Sequence, residues 1–237
     1  MPETRSAISY DQSEDSLRAS FSALKFIEGT LVAYGDRSAK VINRKRSQLD
    51  HAHPLFVADD FEADDILLLQ TKLSETDTQT FYVLFSEGPS ADPEFYFIKT
   101  STPDKIWASL PGTAISIPGN GSVYVSNRFN NTFTKRSKYT LTAKGLTEVK
   151  QPYFYVGLKT HTLSPLTLYT SPASTDVIAQ LPKGSEVEVL LTDDRRDDKQ
   201  HRTCFLIKTP FGLLGWAWIP ESQYASSVIE GLGLWGD

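Results

Sequence analysis

The sequence predicts a mostly β protein, and three observations support this fold class. Short apolar runs recur along the chain, separated by turn signals rich in glycine and proline. Aromatic residues make up 11 % of the chain, and flat rings fit a half-buried pleated surface. Asn120-Gly121 lies between the strand-like runs that contain Ile117 and Val123, and this dipeptide favours a tight hairpin turn because it tolerates positive φ. Together these features are typical of an all-β sandwich or barrel.

The N-terminal part of the chain predicts one helix. Residues 1–13 are polar and are expected to form a flexible leader. Leu17, Phe21 and Leu24 then recur at the spacing of one helix face. Gly29 is the expected end of this helix.

Further along, the pattern predicts a hairpin and two regions. The apolar runs 30–34 and 39–42 flank Gly35-Asp36-Arg37-Ser38 and predict an antiparallel pair. Residues 14–158 are expected to form a β-rich N-terminal domain, and residues 159–237 a second domain with a C-terminal tail. Strands are predicted at 66–72, 80–86, 94–100, 114–117, 122–127, 138–142, 153–158, 167–169, 177–181, 186–191, 203–209 and 215–219.

The C-terminal segments, in their order along the chain, resemble the bacterial SH3-like (SH3b) family. Residues 166–172 (LTLYTSP) resemble its first strand and the start of its long first loop, and 177–184 (VIAQLPKG) resemble the strand with a Lys-Gly turn that follows. Residues 186–190 resemble its second strand, and 205–219 resemble its closing hairpin with a Gly-Trp end. The resemblance implies a small C-terminal β-barrel that binds a ligand rather than catalysing a reaction.

Aromatic side chains in this region are the candidate ligand-binding residues. In SH3-like barrels, aromatics from the first loop and the final strand line a shallow groove, so the resemblance assigns this role to Tyr169, Trp216, Trp218 and Tyr224. Trp216 and Trp218 alternate along a strand and are therefore expected to share one face. The alternative is that Trp216 packs in the core.

An internal repeat is a further possibility for the N-terminal region. Ile98-Lys99-Thr100 is followed by Trp107-Ala108 and Pro111, and the same residues recur at the same spacing from Ile207 to Pro220. The pattern predicts a second SH3-like unit within residues 60–125, or else a chance reuse of strand residues.

Catalytic and metal sites are weakly indicated. Cys204 is the only cysteine and lies in a predicted strand, where a small core residue is the usual role. His51 and His53 lack a third ligand nearby in the sequence, and the acidic run 59–65 lacks the glycine of a calcium loop. The basic run 43–47 is expected to be a solvated surface. The sequence therefore predicts no enzyme, no metal and no cofactor.

Charge and hydropathy restrict the partners. The net charge is −5, whereas a nucleic-acid binder usually carries a surplus of Lys and Arg. No segment has the roughly 20 apolar residues of a membrane helix, and no signal-peptide pattern begins the chain. An envelope location is expected if a signal peptide precedes this sequence, and a cytoplasmic one otherwise.

These features predict a non-catalytic binding or scaffolding protein. The expected partner is a peptide, a cell-wall glycan or another protein in a bacterial envelope. The alternative is a cytoplasmic regulatory or inhibitory protein that blocks a partner enzyme. Both expectations depend on the C-terminal barrel, and a fold alone does not fix a function.

Overall fold

The structure, a computed structural model, confirms a mostly β protein, and the residues it describes form three sheets. It describes residues 14–56, 61–88, 92–128, 131–197, 199–221 and 226–233, so the predicted leader 1–13 lies outside the described residues. None of the helices in these ranges is long and apolar enough to cross a membrane.

The described elements comprise one short α-helix, one 3-10 helix and seventeen strands. In chain order they are α1 Glu14–Ser20, β1 Lys25–Phe26, β2 Val32–Tyr34, β3 Lys40–Lys45, the 3-10 helix Arg46–Gln48, β4 Ile66–Thr71, β5 Phe81–Ser86, β6 Glu94–Lys99, β7 Ile106–Pro111, β8 Ala114–Ile117, β9 Ser122–Asn127, β10 Lys135–Thr142, β11 Gly145–Glu148, β12 Phe154–His161, β13 Leu166–Tyr169, β14 Val177–Leu181, β15 Glu186–Asp197, β16 Arg202–Lys208 and β17 Leu214–Pro220.

The chain folds into two compact units. Gln12–Asn127 with Arg136–Lys150 form one, called here the N-terminal unit. Arg128–Lys135 with Gln151–Asp237 form the other, the C-terminal unit. The predicted division into domains 14–158 and 159–237 stays a prediction.

The predicted N-terminal helix is wrong in its length. Helix α1 ends at Ser20, well before Gly29. The physical reason is strand pairing: Lys25 and Phe26 form β1 and pair antiparallel with β2, which takes this stretch out of the helix.

The predicted hairpin between 30–34 and 39–42 is also wrong, because its two strands enter different sheets. Strand β2 pairs with β1 and, in parallel, with β8, whereas β3 pairs with β4. Gly35 lies at the crossing point, where an added Cβ would overlap the Pro118 carbonyl oxygen. The chain therefore passes from one sheet to the next at Gly35-Asp36.

Asp36 fastens this crossing. Its carboxylate is buried and accepts hydrogen bonds from the backbone N–H groups of Lys72 and Ser38, each at 2.8 Å. It also accepts from the hydroxyls of Ser38 at 2.7 Å and Thr71 at 3.2 Å. Burial raises the pKa of Asp36, but these hydrogen bonds outweigh burial, so its pKa lies below the ordinary value.

The two sheets of the N-terminal unit share a core. Their strand orders are β1-β2-β8-β9-β10-β11 and β3-β4-β5-β6-β7. Residues such as Val83, Phe97, Ile115 and Val125 belong to one buried cluster drawn from both sheets. The hairpin predicted around Asn120-Gly121 is confirmed, since β8 pairs antiparallel with β9 and both Gly119 and Gly121 adopt positive φ.

The second face of sheet β3–β7 is covered by its own chain. Leu49, Leu55 and Phe61 belong to a further buried cluster with residues of β4, β5 and β6. The Arg46 guanidinium holds this covering segment by donating to the carbonyl oxygens of Phe56 at 3.1 Å and Glu62 at 3.0 Å. Burial on both faces accounts for the nearly continuous apolar runs of β4 to β6.

The C-terminal unit contains one six-stranded sheet in the order β12-β15-β16-β17-β13-β14. Its core includes Leu168, Val189, Phe205 and Ala217, and the tail adds buried residues such as Ile229. Strands form at all the segments that carry the family resemblance. No pairing among the described residues joins β14 to β12, so the closed barrel stays a prediction.

The outer strands of sheet β3–β7 and of the C-terminal sheet each contain a register shift. The register of β3, β7, β12 and β14 shifts by one extra residue against the inner neighbour, which makes a β-bulge in each. The tail also lies along the end of β12, where Leu163 donates to Val228 O at 2.7 Å and Glu230 donates to His161 O at 3.2 Å. Bulges and coverings of this kind disfavour pairing with another chain.

Both copies of the possible repeat lie on antiparallel hairpins. Ile98 pairs with Ile106 between β6 and β7, and Ile207 pairs with Gly215 between β16 and β17. Trp107 is the extra residue of the β7 bulge. The β6–β7 hairpin therefore differs at this position from the β16–β17 hairpin, whose register has no shift. A second SH3-like unit stays a prediction.

Asp36→Asn should destabilise the N-terminal unit by about 1–3 kcal/mol, because four donors lose a charged acceptor. The pKa of Asp36 is lowered in the folded state, so its contribution is present above the ordinary value of 3.8 and is lost as the pH falls through the lowered folded pKa. Urea unfolding of both proteins between about pH 6 and pH 2 should show the difference shrink with acid.

Asp104→Asn is the matched control, since Asp104 is exposed, and its free energy of unfolding should change by less than about 0.5 kcal/mol. A difference between wild type and Asp36→Asn that grows with acid would contradict the role given to Asp36.

Candidate functional site

A row of six apolar side chains crosses the outer face of the C-terminal sheet, with one residue from each strand. The register pairs Val177 with Tyr169, Tyr169 with Trp216, and Trp216 with Leu206. It continues from Leu206 to Leu191 and from Leu191 to Tyr155. Residues directly opposite each other in an antiparallel pair share a face. The apolar row, as it is called below, comprises Val177, Tyr169, Trp216, Leu206, Leu191 and Tyr155.

The strand period explains why this row points away from the core. Leu168, Phe205 and Ala217 precede or follow members of the row, and each is at most 1 % exposed. Successive side chains of a strand point to opposite faces, so a buried neighbour places the row residue on the outer face. Here the sequence supplies apolar residues to both faces of the sheet, but only one face forms the core.

The row is accessible. Tyr155 is 52 % exposed and Val177 is 50 % exposed, while the four residues between them are partly exposed. The ring of Tyr153 adds to the same surface, with its centroid 6.5 Å from that of Trp216. The ring of Tyr155 lies along its own strand over Gly157, in the space that a side chain at position 157 would need.

The structure brings two of the predicted binding residues together. Tyr169 and Trp216 are directly opposite each other on β13 and β17 and are adjacent members of the apolar row. In the described part of the chain, neither the Trp216 indole N–H nor the Tyr169 hydroxyl has a hydrogen-bond partner. Both groups can therefore donate to a ligand.

Trp218 has a different environment. Its indole N–H donates to Pro172 O at 3.1 Å, which ties the loop between β13 and β14, called here the first loop, to β17. The Arg202 guanidinium lies 4.8 Å from its ring centroid and is itself held by Asp197 at 3.0 Å. Trp218 thus positions the loop beside Tyr169. Tyr224, the fourth predicted residue, lies outside the described residues.

Four members of the row were not predicted from the sequence: Val177, Leu206, Leu191 and Tyr155. Each lies in a predicted strand, and alternation against buried neighbours is the signal that could have placed it on the outer face. Alternation alone does not tell which residues become neighbours, because that depends on the pairing of strands distant in sequence.

Charged side chains flank one side of the row. Glu188 lies opposite Lys159 on β12 and opposite Lys208 on β16, and its carboxylate is 3.1 Å from the Lys208 ammonium. These residues, with His161 and Glu186, line a shallow cavity of about 490 Å³. The His161 imidazole lies 3.2 Å from the Glu230 carboxylate of the tail.

The corresponding tryptophan of the first hairpin is packed into a core. Trp107 contacts the buried cluster of the N-terminal unit, and its ring centroid lies 4.7 Å from that of Phe81. Trp216 contacts no such cluster among the described residues. The two hairpins therefore use the same residue type for packing in one unit and for an accessible surface in the other.

The other candidates for chemistry have structural roles. Burial raises the pKa of the Cys204 thiol to about 12, so the nucleophilic thiolate is scarce at neutral pH. His53 accepts a hydrogen bond from the Leu55 N–H at 3.2 Å, and burial lowers its pKa. The described residues contain no group of three or more His, Cys, Asp or Glu that could hold a metal ion.

The charged runs are partly described. Asp59 and Asp60 of the acidic run lie outside the described residues. Asp65 accepts from the Glu62 N–H at 2.9 Å, and Asp64 pairs with Lys45 of the basic run at 2.7 Å. The ion pair between Asp64 and Lys45 ties the two runs to each other within the N-terminal unit.

Trp218→Phe should loosen the first loop, because it removes the donor to Pro172 O. Amide hydrogen exchange at Thr170 and Ser174, whose N–H groups close turns in this loop, should accelerate about fivefold, as expected for the loss of about 1 kcal/mol. Trp216→Phe is the matched control and should leave both amides unchanged. Equal acceleration in the two variants would contradict the role assigned to Trp218.

Cys204 should not react with iodoacetamide in the folded protein at about pH 8, because a thiol with so high a pKa and no exposure supplies roughly one thiolate in ten thousand. The urea-unfolded chain should react readily. Rapid modification of the folded protein, measured by mass spectrometry, would show that the thiol is accessible.

Comparison with known proteins finds no matching family model, no matching curated protein and no matching solved structure. The resemblance to the SH3b family therefore rests on the residues quoted above.

Proposed function

We propose that the protein is a non-catalytic recognition protein whose C-terminal unit binds its partner through the apolar row. The partner is a peptide, a cell-wall component or another protein in a bacterial envelope. The C-terminal unit is, in this proposal, an SH3-like module. The observation that carries the proposal is the alignment of six accessible apolar side chains, one from each strand of a single sheet.

Surface energetics supports a binding role. Each square ångström of apolar surface removed from water contributes about 25 cal/mol, and contiguous exposed apolar surface commonly marks an interaction site. Aromatic rings such as Tyr169 and Trp216 provide a large contact area with few rotatable bonds, so little side-chain entropy is lost on binding.

The strand arrangement supports the SH3-like part of the proposal. Strands β15, β16 and β17 form an antiparallel meander, and β13 pairs with both β17 and β14. The first loop, between β13 and β14, reaches Trp218 through Pro172. This arrangement brings the first loop beside the final strand, as the resemblance implies for a ligand groove.

Sedimentation with purified cell walls tests the proposal. The wild-type chain should pellet with the walls, and Trp216→Ala should lose most of this binding because the centre of the row is removed. Phe211→Ala is the matched control: Phe211 is 87 % exposed, lies in the same unit and is not part of the row, so its variant should bind like the wild type.

Circular dichroism and thermal unfolding of each variant must accompany the assay, since replacing a packed tryptophan can cost about 3–5 kcal/mol. A folded wild-type chain that stays in the supernatant contradicts the cell-wall version of the proposal. Recovery of a cytoplasmic enzyme in a Trp216-dependent complex would instead favour the regulatory or inhibitory function.

A further inference from the structure

We propose that the ligand of the apolar row is an uncharged glycan chain lying across the strands, perpendicular to them. This inference rests on the proposed binding function of the row and specifies its ligand. Three features of the described residues support it: the spacing of the row, its hydrogen-bonding groups and the charges beside it.

The spacing of the row suits a chain of sugar rings. Neighbouring strands lie ~4.8 Å apart, so six strands carry the row over about 24 Å. One strand spacing is close to the length of one hexopyranose unit, so successive sugars can contact successive strands. An extended peptide advances only ~3.3–3.6 Å per residue and does not match this repeat.

Hydrogen bonding also separates the two kinds of chain. A peptide lying across the row would place its backbone N–H and C=O groups over apolar side chains, while the backbone groups of the sheet already pair within the ladder. A pyranose ring has flat C–H faces, which stack on Trp216 and Tyr169, and carries its hydroxyls at the rim. Within the described residues, the indole N–H of Trp216 and the hydroxyl of Tyr169 have no hydrogen-bond partner, so both can donate to these rim oxygens.

The charges beside the row favour a neutral ligand. On one side, two lysines and two glutamates, Lys159, Lys208, Glu186 and Glu188, cancel in charge, and Lys208 is paired with Glu188 at 3.1 Å. On the other side, Arg202 is paired with Asp197 at 3.0 Å. These six groups thus cancel in charge, and they offer donors and acceptors to hydroxyls.

Isothermal titration of the full chain with neutral oligosaccharides tests the inference. The probes are soluble β-1,4-linked oligomers of N-acetylglucosamine and of glucose, from dimer to hexamer, with an α-1,4-linked glucose hexamer for comparison. Affinity for at least one series should rise with length up to about five units, the span of the row. It should change less than about twofold between 0.05 and 0.5 M NaCl, because no net charge is neutralised on binding.

Trp216→Ala should weaken binding about tenfold or more, and Phe211→Ala should bind like the wild type. An excess of whichever hexamer binds should also displace the wild-type chain from purified cell walls.

The possible failures are distinguishable. If cell walls retain the chain in a Trp216-dependent manner but no neutral oligosaccharide binds or competes, the glycan inference is overturned and the binding function stands. Binding that falls steeply with salt, or a charged peptide that competes where the glycans do not, also overturns it. If neither walls nor oligosaccharides bind the folded chain, the glycan inference and the cell-wall version of the proposed function both fail.

Discussion

The register of the C-terminal sheet is the constraint on which its surface depends. A shift of one residue in any strand would turn that strand's core residues outward and its row residue inward. The bulge at Leu190 in β15 is part of this register, since it lets Val189 face the core and Leu191 face outward. The hydrophobic core thus determines the register, and the register in turn aligns Trp216 with Tyr169 and Leu206.

The two units treat the second face of a sheet differently. In the N-terminal unit, the segment that contains Leu49, Leu55 and Phe61 covers the second face of sheet β3–β7, and Arg46 holds that segment in place. In the C-terminal unit, the described residues leave the apolar row accessible. The chain therefore contains one apolar sheet face that is covered and one that is accessible. Contiguous apolar surface that stays exposed commonly marks an interaction site.

Local patterns predicted the strands well, but not all of their partners. Asn120-Gly121 gave a correct hairpin because both its strands and its turn are adjacent in sequence. Gly35-Asp36 has a similar composition, yet the chain passes into another sheet there. The Asp36 carboxylate accepts a hydrogen bond from the Lys72 N–H, and this contact joins residues that are distant in sequence. Propensity describes a segment, whereas pairing is decided by the tertiary contacts of that segment.

The candidate site shows the same division. Tyr169 and Trp216 were predicted from the residue types and the family resemblance, and the ring of Trp218 has a positioning role that only its contact with Pro172 reveals. Tyr155 belongs to a segment that the sequence assigned to the preceding region, and only the pairing of β12 with β15 brings it onto the row. Such contacts carry no local signal.

The bulged outer strands have a consequence for how this protein can associate. An extra residue in each of β3, β7, β12 and β14 interrupts the even spacing of backbone donors and acceptors that a fibril would extend. Contacts made by side chains on the sheet face leave that backbone pattern untouched. At these four edges, association through side chains on a sheet face is therefore favoured over extension of the backbone ladder by another chain.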